Sequence, residues 1–593
     1  MLLEFILRLL GTILFFLPGF LLCLIIFKKI DFIERVAYSI IFAISISTII
    51  GVLLWFLRLL KLSYIIISVL ILIAILLIVV FYKKNFRLEK PNYFFYLILL
   101  FSFVGALFRI LIRLKVKNWQ SIYSYVGHLA SKSVLEGAVI PDLGFYTGIV
   151  NDHAHYIGGH IDNFIFQNLL FVNDYFVIFL GVLVYLCFIY IVINKFTQNK
   201  KLAFLGIILF SFGPIEIWHN TYSINGAFAY ILLISLFIFF KSKNLKYFWL
   251  VFMVSLTMML RYYTASMVAI VISLGFIFSL FLKEIKFSVK KTIFNLFSNK
   301  KLHLFILIFL LVGSYTLFFS HMGRYTTKNI QAIPNIIEQD EIGVETTTIS
   351  QSKKNFKEKA RIFGLPLISW QDLFFIFCGI SFVMYFYLSK KLTSYDKDIA
   401  YAMIPAVMLA FAFLVVHMPE RAFSYLAFFG IISLKLPKKL FIVFSLIIIL
   451  FIGITTTVIA HQHMRFFSVS DGEIKAAEWV SLNLEGVIFS DQIFIGELIK
   501  NGYYDINGFD DNDKRSYYIY YNNDINQSII SLKSLNASYI AISKRMKDDY
   551  LISLNFAQQP MENEQMYEDN FIKVYDNGDV RIYEVKNETS NIP

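Results

Sequence analysis

Residues 36–57 read VAYSIIFAISISTIIGVLLWFL and contain no charged residue and no histidine. An α-helix rises about 1.5 Å per residue, so a helix of this length crosses the roughly 30 Å hydrocarbon layer of a bilayer. A helix also satisfies every backbone N–H and C=O within its own segment, as a lipid environment requires. The stretch therefore predicts a membrane-spanning helix.

Similar apolar runs occupy most of the chain before residue 461. Hydrophobic residues make up 58% of the 593 residues and charged residues 16%, a composition typical of a membrane protein. We predict an all-α polytopic membrane domain of about 14 transmembrane helices. The predicted spans are 3–27, 36–57, 63–82, 93–112, 174–194, 202–218, 225–240, 247–260, 264–282, 302–320, 371–389, 399–416, 422–434 and 440–460. Cysteines 23, 187 and 378 lie within these spans and are interpreted as buried small hydrophobic residues.

Lysine and arginine mark one side of the predicted membrane. They number 25 in one set of alternate connections and 4 in the short connections of the other set. The first set is 28–35, 83–90, 195–201, 241–246, 283–301, 390–397 and 435–439, and the second is 58–62, 219–224, 261–263 and 417–421. The positive-inside rule places the first set in the cytoplasm and both termini outside the cell membrane. The net charge of +13 thus reports topology, and we expect no nucleic-acid partner.

Three large segments follow on the outer face, at residues 113–173, 321–370 and 461–593. Within the first, the apolar spacing of residues 121–137 predicts a helix that lies on the membrane surface and ends at a glycine. The second is polar and is interpreted either as disordered or as a lid that orders on ligand binding. We divide the chain into a transmembrane domain, 1–460, that includes the first two outer loops, and an extracytoplasmic domain, 461–593.

The last segment has the pattern of a small α/β domain. Helices are predicted at 471–484, with Asp471 near the N-cap, and at 492–500, and strands at 487–491 and 537–543. Residues 571–575 and 580–585 flank an Asn-Gly turn and predict a hairpin. No glycine-rich phosphate loop occurs in this segment, so a cofactor there is unsupported.

The first outer loop holds a dense group of polar residues at 151–162, NDHAHYIGGHID. His153 and His155 point to the same side if the loop is extended, and with Asp152 they can assemble a nitrogen and oxygen site for a divalent cation such as Mg²⁺ or Mn²⁺. The alternative is that these imidazoles are hydrogen-bonded interfacial residues. Asp152 is a candidate general base, with a turn-forming aspartate as the alternative. Asp142 is a weaker candidate.

Two arginines lie at the outer ends of predicted spans. Arg261 ends the span 247–260, and Arg421 opens the span 422–434. A guanidinium is suited to bidentate binding of phosphate, so both are candidate contacts for an anionic ligand. The alternatives are snorkelling to lipid headgroups and, for Arg421, an ion pair with Glu420.

A set of short motifs is scattered along the chain. They are Leu17-Pro18-Gly19-Phe20, Ile33-Glu34-Arg35, residues 130–141, Tyr156 with Gly159-His160, Pro419-Glu420-Arg421-Ala422 with Tyr425, and residues 476–483. Together with the predicted spans and outer loops, these motifs resemble the GT-C superfamily of polytopic membrane glycosyltransferases, in particular its uncharacterised archaeal and bacterial group similar to dolichyl-phosphate-mannose-protein mannosyltransferases. The resemblance covers most of the chain as an architecture with scattered anchors. The chain departs from the superfamily at residues 117–123, KNWQSIY, where an acidic residue is usual and none is present.

The resemblance implies a glycosyltransferase that uses a polyprenyl-phosphate-linked sugar on the outer face of the membrane. Arg261 or Arg421 would contact the donor phosphate, and Asp152 would deprotonate the hydroxyl of an acceptor glycan or protein. Glu420, Tyr156 and His160 complete the expected substrate-binding residues, although Tyr156 and His160 also resemble fold anchors of the group. The rival interpretations are a transporter or flippase of lipid-linked glycans and a catalytically inactive envelope scaffold.

Overall fold

The computed structural model describes about three fifths of the chain. The described ranges are residues 2–83, 89–115, 174–211, 224–242, 244–261, 263–284, 300–318, 469–509, 514–522, 524–548, 551–553, 556–558, 561 and 563–585, with the single positions 129, 130, 132, 133, 135, 136, 161, 164, 165, 361, 362, 365, 366, 404, 405 and 408. These residues belong to two compact units, one containing the apolar helices and one containing the C-terminal segment.

Apolar helices make up the first unit. They are α1 (Leu2–Ile26), α2 (Phe32–Phe56), α3 (Leu62–Lys83), α4 (Tyr93–Lys115), α5 (Asp174–Thr197), α6 (Lys200–Ser211), α7 (Ile224–Lys241), α8 (Tyr247–Arg261), α9 (Tyr263–Glu284) and α10 (Lys300–Phe318). Each of the first ten predicted spans overlaps one of these helices. The predicted spans 371–389, 399–416, 422–434 and 440–460 lie outside the described residues, apart from the single positions 404, 405 and 408.

Length and apolar composition identify four described helices as candidate membrane spans. These are Arg8–Ile26, Phe32–Phe56, Leu62–Lys83 and Ile178–Thr197. Shorter apolar helices cover Tyr93–Leu107, Tyr247–Leu260 and Ile270–Leu280. The helical, membrane-type character expected from composition is therefore present, while the total of about 14 spans stays a prediction.

Helix α2 packs against four other described helices, α1, α3, α5 and α8. It begins four residues earlier than predicted because Asp31 caps it, accepting a hydrogen bond of 2.8 Å from the backbone N–H of Glu34. Gly19 of α1 lies so close to α2 that a β-carbon there would overlap the backbone at Ser39 and Ala43. The Leu17-Pro18-Gly19-Phe20 anchor thus permits close contact between the first two helices.

Polar contacts join the ends of helices that the lysine and arginine distribution places on one side. Lys195 near the end of α5 forms an ion pair with Glu34 near the start of α2. The Nζ of Lys301, near the start of α10, donates to the carbonyls of Phe239 and Phe240 at the end of α7, at 3.2 and 3.0 Å. Each contact joins helix ends next to two connections of the lysine- and arginine-rich set, 28–35 with 195–201 and 241–246 with 283–301.

The C-terminal segment of the second unit forms a five-stranded mixed sheet flanked by helices. Its helices are α11 (Asp471–Asn483), α12 (Gln492–Lys500), α13 (Lys514–Tyr521), α14 (Ile525–Ser534), α15 (Lys544–Asp548) and α16 (Glu564–Asn570). The strands are β3 (Val487–Ser490), β4 (Ile506–Gly508), β5 (Ala537–Ser543), β8 (Ile572–Asp576) and β9 (Val580–Glu584), in the order β4-β3-β5-β9-β8. Strand β3 is parallel to β4 and β5, whereas β9 is antiparallel to both of its neighbours.

Two short antiparallel pairs accompany this sheet in the same unit. They are β1 (Arg361–Ile362) with β2 (Leu365–Pro366), and β6 (Leu551–Ser553) with β7 (Phe556–Gln558).

Local signals in the sequence account for most of this domain. The predicted helix 492–500 and the predicted strand 537–543 match α12 and β5 residue for residue. The hairpin β8–β9 turns at Gly578, which has a φ of +84° that glycine adopts without strain. The backbone N–H of Gly578 donates to Asp576 at 2.9 Å and lowers the pKa of that carboxyl. Helix α11 is capped by Ser470, one residue before the predicted Asp471.

Candidate functional site

Most residues of the predicted outer-face site lie outside the described part of the chain. The residues outside it are Asp152, His153, His155, Tyr156, His160, Glu420 and Arg421. Their positions and roles therefore stay predictions. The backbone of Arg261 is described, and this residue ends α8 as the sequence predicted, while its side chain is outside the described set.

The first outer loop is anchored at two places that flank the candidate segment 151–160 in the sequence. Ala130, which is fully buried, belongs to the apolar core of the C-terminal α/β domain, and Leu129 packs against that core. Further along the loop, Ile161 is fully buried and lies against Gly51 of α2, where a β-carbon would overlap its Cγ2 atom. The candidate segment thus lies, in chain order, between one anchor in each compact unit.

The helical positions around Ala130 agree with the helix predicted at 121–137, while its location on the membrane surface stays a prediction. Residues 129, 130, 132, 133, 135 and 136 are all helical. Two apolar residues of that segment, Leu129 and Ala130, therefore have a protein partner in the core of the C-terminal domain. This partner was not evident from the sequence, in which Ala130 and that core are separated by several spans.

A buried polar cluster joins α2, α5 and α8 at the end of α2 remote from Gly51. Glu34 is 5% exposed and forms an ion pair with Lys195. The same oxygen of Glu34 accepts hydrogen bonds from the hydroxyls of Tyr38, at 3.3 Å, and Tyr247, at 3.5 Å. Lys195 also donates to the hydroxyl of Tyr247 at 3.1 Å. The other carboxylate oxygen accepts a hydrogen bond from the backbone N–H of Asp31 at 3.4 Å. Glu34 therefore caps the start of α2 and also forms an ion pair with a residue that is distant in sequence.

Arg35 follows Glu34 directly and has a different environment. Arg35 is only 3% exposed, and the Nε and Nη1 atoms of its guanidinium have no hydrogen-bond partner among the described residues. Ser39, one helical turn further on, is 7% exposed, and its hydroxyl lies within hydrogen-bonding reach of the Cys23 thiol of α1. Neighbouring side chains on a helix point in different directions, which is why Glu34 at the adjacent position does not pair with Arg35.

A second buried ion cluster lies in the C-terminal domain, where β3 and β5 end. Asp491 follows β3, caps α12 and is fully buried, and Arg545 lies in α15 directly after β5. Arg545 donates from Nη1 to Asp491 at 2.6 Å and from Nη2 to Asp491 and Glu473 at 3.0 and 2.9 Å. Glu473 in turn accepts from the backbone N–H of Ser470 at 2.9 Å. This bidentate pairing fixes the strand ends to the start of α11.

The sequence contains a signal for both ion clusters. Asp31 and Glu34, and likewise Ser470 and Glu473, are three residues apart at a helix start, which is the spacing of a capping box. Spacing predicts the local hydrogen bonds but not the cation that each glutamate meets. Those cations, Lys195 and Arg545, come from elements distant in sequence.

The described residues contain no group of three or more His, Cys, Asp or Glu side chains that could hold a metal ion. The predicted ligands Asp152, His153 and His155 lie outside that set, so a divalent cation at those residues remains a prediction. Cys23 and Cys187 are buried and free, as expected of small apolar residues within spans.

Comparisons with known proteins found similarity only at the level of solved structures. No family model matches the chain. No curated protein matches its sequence either. One match is the structure of the Archaeoglobus fulgidus oligosaccharyltransferase in the apo form. The alignment covers 77% of this chain and 70% of the oligosaccharyltransferase chain, at 11% identity and a TM-score of 0.45. The alignment with a complex of the Archaeoglobus fulgidus oligosaccharyltransferase AglB with an inhibitory peptide and a dolichol-phosphate covers 77% of this chain and 70% of the AglB chain, at 11% identity and a TM-score of 0.43.

A third structure, the Archaeoglobus fulgidus oligosaccharyltransferase in complex with Zn and sulfate, covers 75% of this chain and 68% of its own, at 11% identity and a TM-score of 0.46. At this identity and these TM-scores, the likeness assigns no residue role and no activity to this chain.

Proposed function

We propose that this chain is a membrane glycosyltransferase that moves a sugar from a polyprenyl-phosphate-linked donor to an acceptor glycan or protein on the outer face of the membrane. The domains would be the transmembrane part, 1–460, and the extracytoplasmic part, 461–593, with both termini outside the cell membrane. The proposal is supported by the sequence resemblance and by the distribution of charge along the described helices.

That distribution is the observation on which the proposal mainly rests. In helices α1 to α10, every Asp, Glu, Lys, Arg and His lies within about two turns of a helix end. Transporters commonly place ionisable residues near the middle of the membrane, where they bind the substrate or a coupling ion. The described helices therefore favour an interfacial reaction over transport through the bundle.

The proposed chemistry uses the candidate residues of the first outer loop. Asp152 takes the proton of the acceptor hydroxyl as that oxygen forms a bond to the anomeric carbon of the sugar. The bond between this carbon and the phosphate oxygen breaks, and polyprenyl phosphate leaves with its electron pair. His153 and His155 assist Asp152 in the reaction. A divalent cation bound by Asp152, His153 and His155 would supply positive charge to the site.

The remaining candidate residues hold the donor. Arg261 and Arg421 contact the phosphate, since a guanidinium forms bidentate hydrogen bonds with its oxygens. Glu420 orients Arg421, and Tyr156 and His160 line the substrate. Residues 321–370 close over the site and exclude water. The C-terminal domain takes part in positioning the loop, because Ala130 is part of its apolar core.

The experiment that tests this proposal is a transfer assay on the full chain in proteoliposomes with a panel of polyprenyl-phosphate sugars. Asp152→Asn is expected to lower kcat by about 10²- to 10⁴-fold, the usual contribution of a general base. Glu136→Gln removes an exposed carboxylate from the same outer loop and serves as the matched control, with activity near that of the wild type.

A second pair of variants addresses the phosphate contact. Arg421→Ala is expected to raise the KM for the donor about tenfold or more, because it removes a charged hydrogen bond to the phosphate. Arg58→Ala removes a cation from another predicted outer connection and should leave KM unchanged. The absence of transfer by the wild type from every donor would favour the inactive scaffold, and full activity of Asp152→Asn would assign the base to another residue.

A further inference from the structure

The C-terminal domain has an exposed apolar patch where α11 meets the edge strand β8. The described residues of this domain include three exposed large aliphatic residues, Leu482, Ile530 and Ile572, which are 83%, 66% and 48% exposed. Single apolar residues are ordinary on a protein surface, whereas a contiguous exposed group marks a contact site. Leu482 and Ile572 belong to such a group.

Two stacked aromatic rings form the centre of the patch. The ring centroids of Trp479 in α11 and Tyr575 in β8 are 4.5 Å apart, at an interplanar angle of 30°. Both residues are only partly buried. Leu482 follows Trp479 by three residues, so the two side chains are neighbours on the helix surface. Helix α11 therefore contributes an aromatic and an aliphatic side chain to the patch.

Strand β8 contributes Ile572 on the same face as Tyr575. Tyr575 is paired with Ile582 of β9, and Ile572 is paired with Glu584. Side chains directly opposite each other in an antiparallel pair lie on the same face, and residues two apart in a strand share a face. Ile582 and Glu584 are two apart in β9, so their partners share a face as well. Ile572 therefore lies beside Tyr575 on the side of the sheet that carries Trp479.

The composition of the patch fits the interface of a lipid bilayer. Tryptophan and tyrosine are enriched at membrane–water interfaces, where their rings lie at the level of the headgroups. Leucine and isoleucine beside them reach the boundary between headgroups and acyl chains. Lys475, one turn before Trp479 in α11, is exposed, and a lysine in this place attracts anionic headgroups.

The length of the preceding connection keeps the patch within reach of a bilayer. The last predicted span ends at residue 460, and the described part of the domain begins at Val469. Nine residues cover at most about 30 Å when fully extended. A domain of this size has a radius of gyration of only about 13 Å, so the connection allows any of its faces to meet the membrane. It also gives the patch a high effective concentration at the lipid surface.

We propose that Trp479, Leu482, Ile572 and Tyr575 bind the interface of the phospholipid bilayer, with Lys475 at the headgroup phosphates. This is a peripheral contact of the C-terminal domain, additional to the membrane spans, and it holds one face of the domain against the lipid. The contact is independent of the glycosyltransferase proposal. It requires only that the preceding helix crosses the bilayer, whichever side the domain occupies.

Ile530 supplies a matched control within the same domain. It is exposed and lies on α14, which precedes β5 in the chain. Helix α12 joins β3 to β4, and β3 lies between β4 and β5 in the sheet. The connections from β3 to β4 and from β4 to β5 therefore run in opposite directions, and right-handed crossovers place α12 and α14 on opposite faces. Since α11 packs against α12, Ile530 lies on the other face from the patch.

The test measures the depth of a nitroxide spin label on the full chain in vesicles of dioleoylphosphatidylcholine and dioleoylphosphatidylglycerol. The label is attached to Leu482→Cys, Ile572→Cys or Ile530→Cys, in a background in which the native cysteines are replaced by alanine. All three positions are exposed, so labelling removes no core contact. Relaxation of the label by O₂, which concentrates in lipid, is compared with relaxation by a water-soluble nickel chelate.

We expect the ratio of O₂ relaxation to nickel relaxation to be higher at residues 482 and 572 than at residue 530. A second measurement keeps the native cysteines. The fluorescence difference between the wild type and Trp479→Phe isolates the emission of Trp479, and lipids brominated near the headgroup end of their acyl chains should quench it.

Equal ratios at the three labelled positions, or an unquenched Trp479, overturn the proposal. Loss of access to both relaxing reagents at residue 482, with spin–spin broadening that disappears on dilution with unlabelled chain, also overturns it. A second copy of the chain would then cover the patch in place of lipid.

Discussion

Two glutamates in different compact units occupy the same position of the same local motif. Glu34 in α2 and Glu473 in α11 are each the third residue of their helix and the last residue of a capping box, and each is nearly fully buried. In both, one carboxylate oxygen accepts from the backbone N–H at the helix start, and the other oxygen meets a cation from a distant element. The motif thus fixes a helix start locally and anchors it in the tertiary structure.

The two glutamates differ in their cation. Glu473 shares Arg545 with the fully buried Asp491, and the Arg545 side chain is 9% exposed. Glu34 meets Lys195, whose side chain is 28% exposed. A guanidinium has a planar set of donors that can bridge two carboxylates, whereas an ammonium is a compact charge that keeps part of its hydration. The comparison indicates that the C-terminal cluster depends more strongly on its cation.

The largest effect is expected from Arg545→Met. Removal of the guanidinium leaves Asp491 and Glu473 buried without a cation, and the expected loss of unfolding free energy is about 3–5 kcal/mol. Hydrogen exchange of the full chain, followed at β3 and β5, measures it as a loss of amide protection. The control is Arg515→Met at an exposed position, with an expected change below about 0.5 kcal/mol. Unchanged protection in Arg545→Met would show that the cluster is not required.

Replacing each cation by the other type should cost less stability than removing it, and the cost should differ between the two clusters. Arg545→Lys is expected to cost about 2 kcal/mol, because one ammonium does not reproduce the hydrogen bonds to both Asp491 and Glu473. Lys195→Arg is expected to change stability by less than about 1 kcal/mol, since Glu34 offers a single oxygen to the cation. Hydrogen exchange and unfolding of the full chain measure both variants. Equal losses of stability in Arg545→Lys and Lys195→Arg would contradict the stronger dependence of the C-terminal cluster on its cation.

Lys195→Met tests the membrane cluster alone. Glu34 then loses its cation but keeps the hydroxyls of Tyr38 and Tyr247, so the expected cost is about 1–2 kcal/mol, below that of a fully buried pair. A lower Tm at a fixed heating rate in neutral detergent is the readout. Lys200→Met, at an exposed lysine close to α5, is the control and should leave the Tm unchanged.

The smallest effect is expected where only the helix start is altered. Ser470→Ala removes the side-chain acceptor of the Glu473 N–H, at 3.0 Å, and should cost about 1 kcal/mol. Ser481→Ala, near the other end of α11, is the matched control. A loss as large as that of Arg545→Met would mean that the cap, and not the ion pair, holds this cluster together. Unfolding of the full chain followed at α11 measures both variants.

Sequence patterns predicted the elements of both units with different precision. Spans 63–82 and 247–260 lie within one or two residues of α3 and α8, because a long apolar run has few alternatives to a helix in lipid. The start of α2 was placed four residues late, because its polar first turn, which holds Glu34 and Arg35, was interpreted as a loop. In the C-terminal domain, alternating apolar residues and an Asn-Gly turn were sufficient for β5 and the hairpin.

The candidate site was only partly accessible to sequence reasoning. The polar segment 151–162 indicated Asp152, His153 and His155 as candidates, and the distribution of Lys and Arg predicted that they lie outside the membrane. Neither pattern gives the distances between these side chains. The part of the chain that the structure describes adds the two anchors of that loop, Ala130 and Ile161. It also adds the buried clusters at Glu34 and Arg545, whose partners are too far apart in sequence for any spacing rule to join them.

The sequence by itself determined the membrane class, the approximate positions of the ten apolar helices and six elements of the C-terminal domain, because these follow from hydrophobicity, periodicity and turn signals within a few residues. Only the tertiary structure decided which elements meet. Tyr247 approaches Glu34 across 213 residues, and Ala130 enters the core of the C-terminal domain. Such contacts depend on how whole helices and sheets pack, and no local pattern specifies which distant side chain becomes the partner.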